Sequence, residues 1–161
     1  MANIIIRRAR LLQAKEILEI QKLAFQSEAE IHKNYGISPL VQTIESIEDD
    51  FSTYHFYIAV LENKIIGSVK VRLIENIHLW IGRLVVHPDY QGRGIGKKIM
   101  VYVENKYRNV EVFLLYTAEK SIRNVTFYKS LGYEISGKYT EPGHSDIILV
   151  KLTKINSIRE K

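Results

Sequence analysis

The chain has 161 residues and a mass of 18.7 kDa, with 46% hydrophobic and 25% charged residues, the size and balance of one ordinary globular domain. It has no cysteine, which excludes disulfides, thiolate metal sites and a cysteine acyl-enzyme. No run approaches the roughly 18 apolar residues of a membrane span, and the isoleucines before Arg7 and Arg8 are too few for a signal peptide, so a cytoplasmic location without a membrane partner is expected.

Residues 3–8 read as an isoleucine-rich first strand. Leu11, Ala14, Ile17, Leu18 and Phe25 follow the 3.6-residue period of an amphipathic helix over 10–25. A looser stretch around Tyr35-Gly36 and Ser38-Pro39 leads to a second helix over 40–50. Residues 55–61 are almost continuously apolar, as in a strand buried on both faces. Glu62-Asn63 turns the chain into a strand where Val69, Val71 and Leu73 alternate with Lys70 and Arg72. Glu75-Asn76 turns it again into 77–86, completing an antiparallel meander.

A loop over 87–90 then reaches a glycine-rich turn at 91–96, which opens a helix marked by Ile95, Ile99 and Val103 and ending near Tyr107. Residues 110–117 form a buried strand. A helix over 121–131 has Ser121 as N-cap and Gly132 just past its end. Residues 133–139 and 145–152 make a hairpin around Pro142-Gly143. The order β-α-α-β-β-β-α-β-α-β-β predicts a single α+β domain over 1–153, with a mixed, mostly antiparallel sheet of about seven strands, about four helices, and a polar tail over 154–161.

The net charge is +5, from 23 Lys plus Arg and 18 Asp plus Glu. Residues 26–50 hold six acids (Glu28, Glu30, Glu45, Glu48, Asp49, Asp50) against Lys33 alone, a sum of −5, so the remainder carries +10. The basic pI of about 9.3 raises the question of nucleic acid. No aromatic RNA-binding pair or recognition-helix pattern accompanies it, and the acidic stretch opposes it, so no nucleic-acid partner is expected.

The chemistry is concentrated at Gln91-Gly92-Arg93-Gly94-Ile95-Gly96-Lys97. A strand delivers the chain to three glycines spaced by two, and a helix begins among them. The first-turn N–H groups of that helix have no partner within it and carry the positive end of its dipole. Glycines let such a backbone approach an anion closely, so the segment is a phosphate cradle. It is not a P-loop, because Gln91 and Lys98 stand where that motif needs glycine and a hydroxyl residue. Nor is it a dinucleotide fingerprint, because the spacing is G-x-G-x-G after a meander strand.

Gln-x-x-Gly-x-Gly on a strand–loop–helix, the Val86-x-Pro88 step before it and Asn124-x-x-Phe127-Tyr128-x-x-x-Gly132-Tyr133 after it resemble the GCN5-related N-acetyltransferase family. The likeness extends over residues 3–152. It implies transfer of an acetyl group from acetyl-CoA, as co-substrate, to an amine acceptor. The pyrophosphate would rest on the amides of Gln91 to Lys97, with Gln91, Gly92, Arg93, Gly94, Ile95, Gly96 and Lys97 as cofactor-binding residues. The pantetheine arm would run beside Leu84, Val85 and Val86, where the fourth strand splays from the next, and an amide there would stabilise the oxyanion. Asn124 would contact the cofactor, and Tyr128, one turn on, would protonate the leaving thiolate. A tyrosine packed on the sheet is the plain alternative for Tyr128. The resemblance assigns no metal ligand and admits a homodimer.

An alkylamine with a pKa near 10.4 is about 10³-fold protonated at pH 7, so a base is needed. Members that use a fourth-strand glutamate would have it at position 80, which is Trp80 here, and Gly82 is no substitute. His78, on the same strand face, is the first candidate, followed by His144 and Glu141 in the last hairpin. The base stays open among them. In the family, the 26–50 segment borders the acceptor, so its acids favour a cationic amine (a polyamine, an amino sugar or a protein amino group) in a pocket lined by Trp80, Tyr35 and His32. A non-catalytic CoA-binding or sensing module of the same fold is the alternative that the missing glutamate favours.

Overall fold

A strand apolar on both sides needs a layer of helices on each face. The computed structural model describes residues 3–157 and supplies both layers. The elements run β1 (Ile5–Arg8), α1 (Ala14–Ala24), α2 (Gln26–His32), α3 (Ser38–Val41), α4 (Ile44–Asp50), β2 (His55–Leu61), β3 (Lys64–Ile74), β4 (His78–Val86), α5 (Ile95–Lys106), β5 (Val112–Ala118), α6 (Ile122–Ser130), β6 (Glu134–Glu141) and β7 (His144–Ile155). The seven strands form one α+β sheet in the order β1-β2-β3-β4-β5-β7-β6. Only the β4–β5 pair is parallel.

Alternate residues of β2 feed two cores. Tyr57 and Ala59 pack with Ile95, Ile99, Met100 and Val103 of α5 on one face. Phe56, Ile58 and Val60 pack with Ala14, Ile17 and Leu18 of α1 and Ile47 of α4 on the other. The turns Glu62-Asn63 and Glu75-Asn76 have positive φ at all four residues, the backbone that matches the twist of two-residue hairpins. Past α6, Gly132 takes φ 95°. Its N–H donates to the Lys129 carbonyl and the Tyr133 N–H to the Tyr128 carbonyl, closing the helix as a Schellman motif.

The first half of the chain holds more helices than expected. The helix over 10–25 stops at Phe25, and α2 follows at once, carrying Ala29 into a small core with Ile37, Ala118 and Ile147. The helix over 40–50 is split into α3 and α4, with Thr43 capping α4 through its hydroxyl. At the other end, β7 runs beyond Thr153, where a tail was expected: Lys154 pairs with Phe113, and its Nζ lies 2.6 Å from Glu104. The rest of that tail, 158–161, lies outside the described residues. No helix among the described residues is long and apolar enough to cross a membrane.

Candidate active site

Parallel pairing of β4 with β5 covers only His78–Trp80 against Val112–Leu114. Beyond Trp80 the two strands part, while β4 stays paired with β3 up to Val86. A bulge marks the divergence. Ser68 faces Val85 and Lys70 faces Gly82, so two β4 residues, Arg83 and Leu84, stand against Val69 alone. Arg83 has φ 52°, a left-handed bulge residue that is not glycine. The extra residue reverses the strand's facing: Leu79 and Ile81 point to the α5 core before it, Leu84 and Val86 after it.

The opening is a cleft of about 380 Å³. It gathers Leu84, Val85 and Val86 from β4, Gln91, Gly92 and Gly94 from the turn, Ile95, Gly96 and Lys97 from α5, and Asn124 and Tyr128 from α6. Gly92 and Gly94 have φ 77° and 78°, and a β-carbon at either would meet nothing within 4 Å. The turn is therefore glycine for its backbone, with open space in front of it. Gly94 is the N-cap of α5 and provides no side-chain cap, so the first-turn amides have no capping side chain there. The Gln91 amide donates to the Val86 carbonyl at 2.9 Å, tying the end of β4 to the turn. Arg93 does not line the cleft. Its guanidinium lies 5.3 Å from the Tyr90 ring centroid and donates to the Asp89 carbonyl.

Tyr128 is partly buried, and no described residue hydrogen-bonds its hydroxyl. Burial, then the nearby Glu28 carboxylate, push its pKa well above that of an ordinary phenol, so at neutral pH it is a proton donor. Glu28 is a member of the site that the motifs did not reveal. Its Oε1 accepts hydrogen bonds from the Ser121 hydroxyl at 2.6 Å and the Asn124 amide at 3.2 Å. Its Oε2 lies 3.7 Å from Nε2 of His32, one helical turn on. Ser121, expected as the N-cap of α6, makes no capping bond; its hydroxyl serves Glu28 instead. The signal for Glu28 was the i, i+4 spacing with His32, which only a helix over 26–32 makes meaningful.

The remaining base candidates fall elsewhere. His78 is not in the cleft: it pairs with Ile74 and Val112 at the start of β4, about 20 Å of extended strand before Leu84. Shared facing did not imply proximity. The His144 ring meets the Asn34 amide at 3.1 Å, and Glu141 acts on Arg83; neither residue lines the cleft. Trp80 packs on Tyr54 at 5.3 Å between ring centroids, and Tyr35 is exposed. Of the six acids in 26–50, Glu30, Glu45, Glu48 and Asp49 are exposed and Asp50 holds Lys70 at 3.0 Å. Glu28 alone reaches the cleft.

Comparison with known proteins agrees with this geometry. Residues 52–135 match the model of the Acetyltransferase (GNAT) domain. The UPF0157 protein YqkA of Bacillus subtilis (strain 168) is 32% identical over 122 residues, which are 75% of this chain and 34% of that protein. The chain therefore matches only about a third of that relative's length. Among solved structures, the ribosomal-protein-S18-alanine N-acetyltransferase from Escherichia coli superposes with a TM-score of 0.75 at 13% identity, over 96% of this chain and 95% of the other. The yncA protein from Salmonella typhimurium, solved with its cofactor acetyl-CoA, also gives 0.75, at 15% identity over 96% and 95%. Likeness at these identities concerns the fold.

Proposed function

The chain belongs to the GNAT acetyltransferase family, and we propose that it transfers the acetyl group of acetyl-CoA directly to a primary amine. The observation that carries this reading is the meeting of two features in one cleft: a strand end freed from its neighbour and a helix start whose glycines leave open space. The free edge of Leu84–Val86 can pair with an extended amide-bearing arm. The first-turn amides of α5, with Lys97 beside them, suit a diphosphate. Both demands fit acetyl-CoA.

In this reading the amine attacks the thioester carbonyl, a β4 amide stabilises the oxyanion, and the C–S bond breaks as Tyr128 gives its proton to the thiolate. The absence of cysteine supports direct attack over an acyl-enzyme. The acceptor is a cationic amine, on a small molecule or a protein; the single carboxylate at the cleft, Glu28, is the support for this choice. A non-catalytic CoA-binding module is the second reading, favoured by the packing of Trp80 over Gly82, which leaves β4 no base beyond His78 at its far end.

Acetyl-CoA consumption by the purified protein against a panel of primary amines separates the two readings. The first expects turnover with cationic amines, and Tyr128→Phe to lower kcat by about 10²-fold or more. Binding without turnover for every amine favours the second, and reaction with neutral or acidic amines alone refutes the cationic acceptor.

A further inference from the structure

The cleft needs a proton acceptor, and β4 offers none. Glu28 meets that need in a way no motif indicates. Its two oxygens have different surroundings. Oε1 is held by Ser121, just before α6, and by Asn124 on α6, which ties the carboxylate to the cleft it lines. Oε2 accepts no hydrogen bond from any described residue, so it keeps lone pairs for an incoming proton.

Beside Oε2 lies an unsatisfied group. The His32 side chain is only 5% exposed, and its Nε2 is buried without a hydrogen-bond partner among the described residues. A buried nitrogen in that condition is costly to leave unpaired. The two atoms without a hydrogen-bond partner thus lie 3.7 Å apart. The other titratable groups lining the cleft are Arg123 and Tyr128 on α6, Lys97 on α5 and Tyr90 before it.

From this geometry, and resting on the acetyltransferase reading above, we propose that Glu28, backed by His32, is the base that takes the proton from the acceptor ammonium. The ammonium loses one proton to Oε2, and the freed lone pair forms the C–N bond as the C–S bond breaks. The thiolate takes the Tyr128 proton. The second proton lost by the new amide nitrogen restores Tyr128, and the proton on the Glu28–His32 pair leaves to water. One amide, one thiol and one free proton result.

The test is Glu28→Gln, which keeps an oxygen for Ser121 and Asn124 but cannot take a proton. With a lysine-like amine at pH 7 we expect kcat/KM to fall about 10²- to 10⁴-fold, with acetyl-CoA affinity and Tm close to wild type. Raising the pH should restore the rate about tenfold per unit, because the free-amine fraction rises so below the amine pKa. With hydroxylamine or a hydrazide as acceptor, already mostly neutral at pH 7, the deficit should shrink to a few-fold. Glu28→Asp, which retains a carboxylate, should keep the wild-type pH profile at reduced rate and serves if Glu28→Gln folds poorly. Equal activity of Glu28→Gln and wild type, or an equal loss with neutral and protonated amines, overturns the proposal while leaving the acetyltransferase reading standing. No turnover by the wild-type protein overturns both.

Discussion

The Trp80 indole lies over Gly82 so closely that a β-carbon at position 82 would collide with its ring atoms. Two residues apart on one strand face, they occupy the stretch where a fourth-strand base would stand and fill it with an aromatic packed on Tyr54 and near the Lys70 ammonium. Gly82→Ala should push the indole off the strand. The obstructing atoms are the far end of a side chain, so the cost should be modest, about 1–2 kcal/mol. Trp80 is the only tryptophan, so its fluorescence reports the displacement alone: emission should shift to the red, with Tm a few degrees lower. An unchanged spectrum would contradict the packing.

Gly94 and Gly143 make a matched pair. Their φ values are 78° and 80°, and a β-carbon at either meets nothing within 4 Å. Alanine at each should cost about 1–2 kcal/mol of left-handed strain. Only Gly94 stands at the proposed diphosphate seat. Calorimetry should show Gly94→Ala weakening acetyl-CoA at least tenfold, and Gly143→Ala leaving it within twofold.

Lys70 is nearly buried, with its Nζ 3.0 Å from Asp50 and 4.2 Å from the Tyr54 ring centroid. Burial lowers its pKa, and the hydrogen bond it donates to Asp50 opposes that shift. Asp50→Ala should therefore destabilise the fold by about 3 kcal/mol by stranding a buried cation. Adding Lys70→Met should recover most of that loss. Denaturant titrations of the two variants measure both steps.

Tyr128 and Tyr133 pack ring to ring, with centroids 6.0 Å apart. Burial comes first for both, followed by Glu28 for Tyr128 and by Glu104 for Tyr133, and raises their pKa values well above 10 in the folded protein. Folding thus favours the neutral phenols. The stability they contribute is intact below the unfolded pKa near 10 and falls as pH rises past it, since only the unfolded chain ionises there. Tyrosinate absorbance should show these two groups titrating together with unfolding. Replacing both with phenylalanine should flatten the alkaline loss of stability.

Much of the fold is written in local chemistry. Glu62-Asn63, Glu75-Asn76 and Gly132 carry turn residues where left-handed backbone is needed, and the glycines at 92, 94 and 96 mark the cradle. The cleft's other determinants leave no such mark. The β4 bulge rests on Arg83, whose side chain is held by Ser38 and Gln42, and an arginine in a strand does not announce a bulge. The break at Phe25 has no glycine or proline, so α2 and the inward turn of Glu28 are tertiary outcomes: Ala29 is drawn into the β5–β7 core. An acid within an acidic stretch otherwise reads as a solvated face. His78 shares a strand with Leu84 but lies at its other end, because facing alternates along a strand while distance accumulates.

If main-chain amides at the start of α5 hold the diphosphate of acetyl-CoA, the nucleotide half of that molecule carries much of its affinity. Titration calorimetry with acetyl-CoA and, separately, with S-acetylpantetheine tests it most directly, because the two share the thioester arm and differ in the nucleotide with its phosphates. The account predicts one acetyl-CoA per chain, with S-acetylpantetheine binding at least 10²-fold more weakly. Equal affinity for the two, or no heat with either, would contradict it.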